Sequence, residues 1–459
     1  MVAIPLLSGV GATEQAEFVT LYPLNLEPVA IDNKISRGQL RATSGAVEIG
    51  SGPGVDRGGV TWSEQHYRAM GTKLVKVAPD GTLTTLGDIG GTGPVRFEEG
   101  FDRLGIRSGT ALWYYDRSSL VQVTDEDLGP VIDFMWIDSF WMTTDGDSVI
   151  VAELSDPTSV LPLKYGSAED DPDPVTGLMK LRGEAQVVGK YTIQPLRNVG
   201  GNGFPFQAEE GATIPYGCVG ATAKCYFAGS FAFVGGGRNQ AMGVYVAGQG
   251  DADKISTRAV DDALARVADP TSIVLESRSY RDEERLFVHL PTESWVFLAK
   301  ATLKVQDAVW YRAGSGSGPY RIRNAVHAYG KIIVGDTRSA AVGVLSEDVS
   351  THFGEAPGWA FDAGLISGAG ILHSVELVGL PGRGPQGEES TIYLSMTRDG
   401  ETFSVERGIS AGRAGERRLR LQWRPHARYT TMLGLRFRGV GQAMAGFAKI
   451  EAVIAPLGR

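Results

Sequence analysis

The sequence predicts an all-β protein: a β-propeller-like body, a C-terminal β-sandwich domain and one short inserted helix. Three observations lead there. Short β-type runs recur from Thr61 to Leu345 with turn signals between them. Glycine makes up 61 of 459 residues, about 13% against a typical ~7%. It clusters between apolar runs, as in Gly50-Ser51-Gly52-Pro53-Gly54 and Gly235-Gly236-Gly237, which is turn punctuation and not a linker period. The last fifty or so residues alternate apolar side chains with arginine, and strand side chains alternate faces.

In chain order, residues 1–60 read as an N-terminal arm with the first strands. The body, 61–350, opens with Leu74-Val77, the turn Asp80-Gly81 and Leu83-Leu86. It continues through Val95-Phe97, Leu104-Ile106, Leu112-Tyr115 and Val121-Val123. Next come Val131-Trp136, Ser139-Met142, Asp145-Gly146 and Ser148-Leu154. Candidates follow as far as Lys331-Val334 and Val342-Leu345. Some 280 residues of such strands exceed one sandwich, and radial blades protect strand edges, so a propeller is favoured although no WD or kelch consensus occurs. One helix is expected at Arg258 to Val267. Val260, Ala263, Leu264 and Val267 share a side, Ser256 or Thr257 can cap it, Asp261 and Asp262 lie near its N-terminus and Pro270 follows. Residues 351–370 lose aliphatic periodicity and gain glycine, which reads as a linker. Residues 371–459 read as the sandwich, with Ile392, Leu394 and Met396 alternating, the turn Asp399-Gly400, and Ile450, Ala452 and Ile454.

Charge is unevenly spread. From Ala411 to Arg459 there are 10 Lys+Arg and 2 Asp+Glu, a net of +8; the chain is −9, so residues 1–410 carry −17. Leu419, Leu421, Trp423, Leu433, Leu435 and Phe437 are expected to share a core. Arg418, Arg420, Arg424, Arg436 and Arg438 then face away from it, as a docking surface or as a solvated basic face. The acidic body argues against tight wrapping of nucleic acid. No apolar run approaches the ~20 residues that span a bilayer, and no secretory signal is apparent. Cys218 and Cys225 cannot build a disulfide framework and read as two buried thiols.

No residue stands out as catalytic, cofactor-binding or metal-binding. No two of the six histidines have zinc-protease spacing, and His289 lies in an apolar strand. Glu169, Asp170, Asp171 and Asp173 form an acidic, proline-flanked loop whose spacing misses the calcium pattern, leaving a solvated loop or a weak cation site. Gly408-Ile409-Ser410-Ala411-Gly412 matches GxSxG, but no helix is expected after the serine, and only Glu416 and His426 could complete a triad; a glycine turn is favoured.

Several segments together resemble the packaged-DNA stabilisation proteins of short-tailed bacteriophages, tail-hub or tail-nozzle proteins of the virion. Leu21-Tyr22-Pro23-Leu24-Asn25 is similar to that family's "Y-P-x-N" element, and Gly38-Gln39-Leu40-Arg41 to its "G-x-L-R". Tyr67-Arg68-Ala69-Met70-Gly71-Thr72-Lys73-Leu74 resembles its first blade. Gly335-Asp336 with Val342-Gly343-Val344-Leu345 resembles its "G-D…V-G-x-L" segment. Tyr393 to Phe403 and Leu433-Gly434-Leu435-Arg436-Phe437-Arg438 resemble its late hairpin and final strands. The resemblance implies a structural, non-enzymatic tail protein that forms a ring with itself, a hexamer in the family. It further implies that the ring closes or extends the DNA channel and retains packaged DNA. The expected partners are the head-to-tail adaptor ring, a tail needle or plug, and tailspikes or fibres. DNA would pass without sequence-specific binding, and the protein, assembled in the bacterial host cytoplasm, would reside in the virion tail. The other readings are a glycan-acting β-propeller enzyme and a carbohydrate- or protein-binding β module.

Overall fold

The computed structural model describes residues 2–4, 6, 11–12, 18–19, 21–30, 38–166, 173–209, 211–442 and 445–457. Two units emerge. One comprises residues 48–291 and 322–344; the other comprises 1–47, 292–321 and 345–459.

The first unit is a propeller of antiparallel sheets. Four blades have four strands each and begin at Asp56–Trp62, Arg96–Glu99, Asp133–Ile137 and Val175–Leu181. A fifth blade runs from Gly217–Cys218 to Ala252–Lys254. A sixth opens with the hairpin Val274–Tyr280 and Glu283–His289. The seventh contains Ile322–Ala328, Lys331–Asp336 and Ala341–Ser346, and the early strand Gly45–Ser51 completes it as its outer member. Ile322–Ala328 also packs beside Asp56–Trp62, which closes the ring.

Each blade is covered on both faces, so apolar layers fall between blades. Trp62, Leu74, Leu104 and Ile106 form one such layer; Leu112, Phe134, Trp141 and Ile150 form the next. This is why several strands read as continuous apolar runs instead of alternating: every residue of Ser230–Gly236 is buried. The expected helix spans Arg258–Ala265, with Val260, Ala263 and Leu264 buried. Ser256 holds its start by donating its hydroxyl to Asp261, 2.6 Å away.

The second unit is a β-sandwich. One sheet runs Leu26–Val29, Gln39–Ala42, Gly446–Pro456, Gly370–Gly379, Gln422–Trp423, with Val2–Ile4 and Ala427–Tyr429 paired at its sides. The other runs Gly358–Ser367, Met432–Val440, Thr391–Thr397, Arg407–Ser410. Leu26, Leu40, Phe361, Leu377, Leu394, Phe437 and Ile450 pack between them.

Three sequence expectations change. Residues 358–367, read as linker, form a strand in which Trp359, Phe361 and Ala363 point into the core. The glycine taken as a breaker, Gly364, sits at a bulge with φ 63°, where a Cβ would lie 2.1 Å from Ile4 Cγ2. Three of the first strands expected within residues 1–60 join the sandwich sheet, which the sequence reading confined to residues 371–459. A second short helix, Ala299–Val305, follows the strand Ser294–Leu298 directly. Its Ala-Lys-Ala-Thr-Leu-Lys composition favours helix, but no turn residue separates it from the strand.

Candidate functional site

Charged side chains at the first strands of the blades meet on the propeller axis. A charged residue opens three of the inner strands, Asp56, Arg96 and Asp133, and at Asp133–Ile137 it is the lone charge in an apolar run. Asp133 gathers four blades. Its Oδ2 accepts from Lys224 Nζ at 2.6 Å, Arg96 at 2.9 Å and the Leu178 N–H at 2.8 Å. Burial opposes its charge, but Arg96 and Lys224 outweigh that and hold its carboxyl below the usual range. Gly177 makes the approach possible, because a Cβ there would lie 2.4 Å from Lys224 Nζ.

A second cluster gathers the remaining three blades. Arg68 clamps Asp56 in a bidentate pair, 2.7 and 2.8 Å, with neither side chain exposed at all. Asn324, at a bulge with φ 54°, donates its side-chain amide to Asp56 at 2.7 Å. Its backbone N–H goes to Glu276 at 3.0 Å, and the Ala325 N–H reaches the same carboxylate at 2.7 Å. Arg278 pairs with Glu276 at 2.8 Å and donates to the Ile322 carbonyl. His66 and His289 lie within this cluster. Burial, with the charge of Arg68 for one and Arg323 for the other, pushes each imidazole down to about 3.

A cavity of about 430 Å³ remains beside these pairs, lined by Arg57, Arg96, Arg107 and Lys224 against Glu98 and Glu276. Its volume is on the scale of water and small ions. A duplex, whose major groove alone is about 12 Å wide, cannot enter it. The axis is therefore a polar bolt and not a passage.

The five arginines expected on one face are not brought together. Arg436 and Arg438 lie on Met432–Val440 of one sandwich sheet; Gln422–Trp423, next to Arg420 and Arg424, belongs to the other. Trp423 and Phe437 meet inside, ring centroids 5.6 Å apart, so the arginines leave the core in opposite directions. Three are tied down. Arg436 grips Asp362 through two 2.8 Å bonds and stacks on Phe403 at 3.8 Å. Arg438 pairs with Glu406 over the Tyr393 ring, and Arg420 pairs with Glu376. Arg418 and Arg424 are exposed and make no ion pair with any described residue.

Other expectations are placed as follows. Glu169, Asp170 and Asp171 lie outside the described residues; Asp173 caps a turn, accepting from the N–H groups of Lys190, Tyr191 and Thr192. Ser410 accepts from the Gly412 N–H, Glu416 from the Arg413 N–H, and His426 meets His373, so no triad assembles at GxSxG. Ser315 Oγ and His352 Nδ1 lie 2.7 Å apart, a pair no sequence spacing announced. Both residues have no solvent exposure, so no substrate reaches them. The two cysteines are free; Cys218 donates to the Gly220 and Ala223 carbonyls.

The resemblance-bearing residues take structural posts. Asn25 bonds the Gly314 and Gly358 backbone, Arg41 pairs with Glu27 at 2.6 Å, and Gly335 faces Asp56, where a Cβ would lie 2.0 Å from its Cγ. Polar hooks of this kind hold together the propeller, and others the sandwich, which defines an all-β protein built of these two folds.

Known proteins narrow this class. The family model "Bacteriophage P22 Gp10, beta-propeller" matches residues 2–350, and "Bacteriophage P22 Gp10, beta-sandwich" matches 358–455. The chain belongs to the bacteriophage P22 Gp10 family. It is 23% identical to the tail hub protein gp10 of Salmonella phage P22 over 458 residues, 95% of each chain. Among solved structures it is similar to the N-terminal domain of Nup159 (TM-score 0.42, 12% identity, 66% of this chain and 95% of that one). It is also similar to the Neurospora crassa Pan2 WD40 domain (TM-score 0.39, 10% identity, 66% and 95%). These two likenesses are too slight to bear on function.

Proposed function

We propose that the chain is a structural protein of a phage tail, a hub or nozzle subunit that acts as a ring of copies. The observation that carries this reading is the end-to-end match to the P22 tail hub protein, propeller and sandwich in the same order. The ring closes or extends the DNA channel, retains the packaged genome, and links the head-to-tail adaptor to a needle or plug and to spikes or fibres. Because the propeller axis is bolted by ion pairs, the channel runs between copies. The propeller unit holds 35 Asp+Glu against 24 Lys+Arg, a net of −11, so its surface repels phosphates and lets DNA slide.

Two surfaces suit docking. Leu161 and Leu163 lie on the outer strand of the third blade and are exposed, Leu163 to 81%; an apolar edge strand of this kind favours cover by a neighbour. Arg418 and Arg424 are charges left for an acidic partner. The role is structural and requires no covalent chemistry. The test is reconstitution: purified protein is added to tail-less, adaptor-bearing heads. Binding as a ring that slows DNA leakage supports the reading. A monomer that leaves leakage unchanged overturns it.

A further inference from the structure

His373 and His426 are brought together by two separate departures from regular strand geometry. His373 lies on Gly370–Gly379 where the register against Gly446–Pro456 slips between Leu372 and Ser374, a bulge with His373 as its extra residue. Across the ladder, Leu372 opposite Ala427 is the last pair of this stretch, and His373 and His426 are the next residues on the two segments. His426 has φ 48°, a left-handed backbone unusual for a residue with a Cβ. The rings stand at 78° with centroids 5.6 Å apart, yet the Nδ1 atoms are only 3.4 Å apart. The rings therefore meet nitrogen to nitrogen and not face to face.

That separation matches a chelate. Zinc–imidazole bonds of about 2.0–2.1 Å at a tetrahedral angle put the two nitrogens about 3.3–3.4 Å apart. Two neutral imidazoles can instead share one N–H···N bond, which uses one lone pair and leaves the other nitrogen's proton in place. A divalent transition metal uses both lone pairs. The site is on the surface, His426 is exposed, and the remaining coordination positions open to solvent. No third His, Cys, Asp or Glu completes a cage among the described residues, so the site keeps open positions and is not a closed structural centre.

We propose that His373 and His426 form a two-histidine chelate for a divalent transition metal of the copper, nickel or zinc type on the surface of the sandwich. Copper(II) binds most tightly, following the general order of divalent affinities. Of the other histidines, His66, His289 and His352 are buried, which leaves His327 as the exposed control.

The test uses the untagged full chain titrated with Cu²⁺ and Zn²⁺, followed by calorimetry and by electron paramagnetic resonance of the copper form. The expected result is one site per chain, hyperfine structure from two imidazole nitrogens, and affinity lowered about tenfold or more, roughly one coordinate bond's loss, in His373→Gln or His426→Gln. His327→Gln leaves binding unchanged. His426→Asn, which tolerates the left-handed backbone, separates loss of a ligand from loss of local structure. Binding that is absent, or equal in wild type and in the His373→Gln/His426→Gln double variant, overturns the proposal.

Discussion

Arg68 and Asp56 have no solvent to fall back on: both side chains are fully buried, and each satisfies the other. Arg68→Ala therefore leaves a buried carboxylate uncompensated, and the expected loss is about 3–5 kcal/mol, read from the denaturant midpoint. Gly335→Ala acts on the same pair from the opposite side by driving a methyl into Asp56. It should lower the midpoint comparably, whereas Gly330→Ala, where a Cβ meets nothing within 4 Å but φ is 70°, should cost only about 1 kcal/mol of backbone strain. His66 and His289 add a pH dependence. Unfolded imidazoles titrate near 6.5, but these are held down to about 3, so below about pH 6.5 the unfolded chain takes up protons that the folded chain refuses. Stability is full above that point and drains as pH falls toward 3. A falling Tm between pH 7 and 5, flattened in His66→Gln/His289→Gln, is the expected result; an unchanged slope in that variant would refute the assignment.

At the scale of elements, the arginine-rich end separates into load and surface. Arg436→Ala removes a bidentate pair and a ring contact on a half-buried strand, and should destabilise the sandwich by about 1.5–3 kcal/mol, as measured by chemical denaturation. Arg418→Ser/Arg424→Ser should change folding by less than about 0.5 kcal/mol while weakening tail assembly more at high salt than at low. Equal incorporation at every ionic strength would make them solvated charges only. The apolar half of this pattern was legible in the alternation of Leu433, Leu435 and Phe437, all of which reach the core. The arginine half was not, because alternation says which residues leave a core and nothing about which sheet each segment joins. Strand Gly358–Ser367 was hidden for a related reason: glycine marks both breakers and bulges, and only Ile4, packed over Gly364, distinguishes the two. The axial clusters were the least legible. Asp56 and Asn324, or Asp133 and Lys224, are joined by ring closure across long stretches of sequence, and a charged first residue of an inner strand was their only trace.

For the whole molecule, the propeller is bolted in two groups of blades: Asp133 ties the second to the fifth, and the Asp56–Asn324–Glu276 set ties the sixth, seventh and first. A body closed this way suits bearing load as one rigid piece. An early strand completes the last blade, so ring closure joins distant parts of the chain, and folding should be slow relative to hairpin formation. The net −11 of the propeller unit predicts that the purified chain leaves duplex DNA unbound at physiological salt, checked by electrophoretic mobility. The most direct test of the structural tail role is electron microscopy of particles produced without this protein. Heads that package DNA but lack distal tails and lose their genome, rescued by supplying the chain, are the predicted result. Fully tailed, infectious particles in its absence would contradict the account.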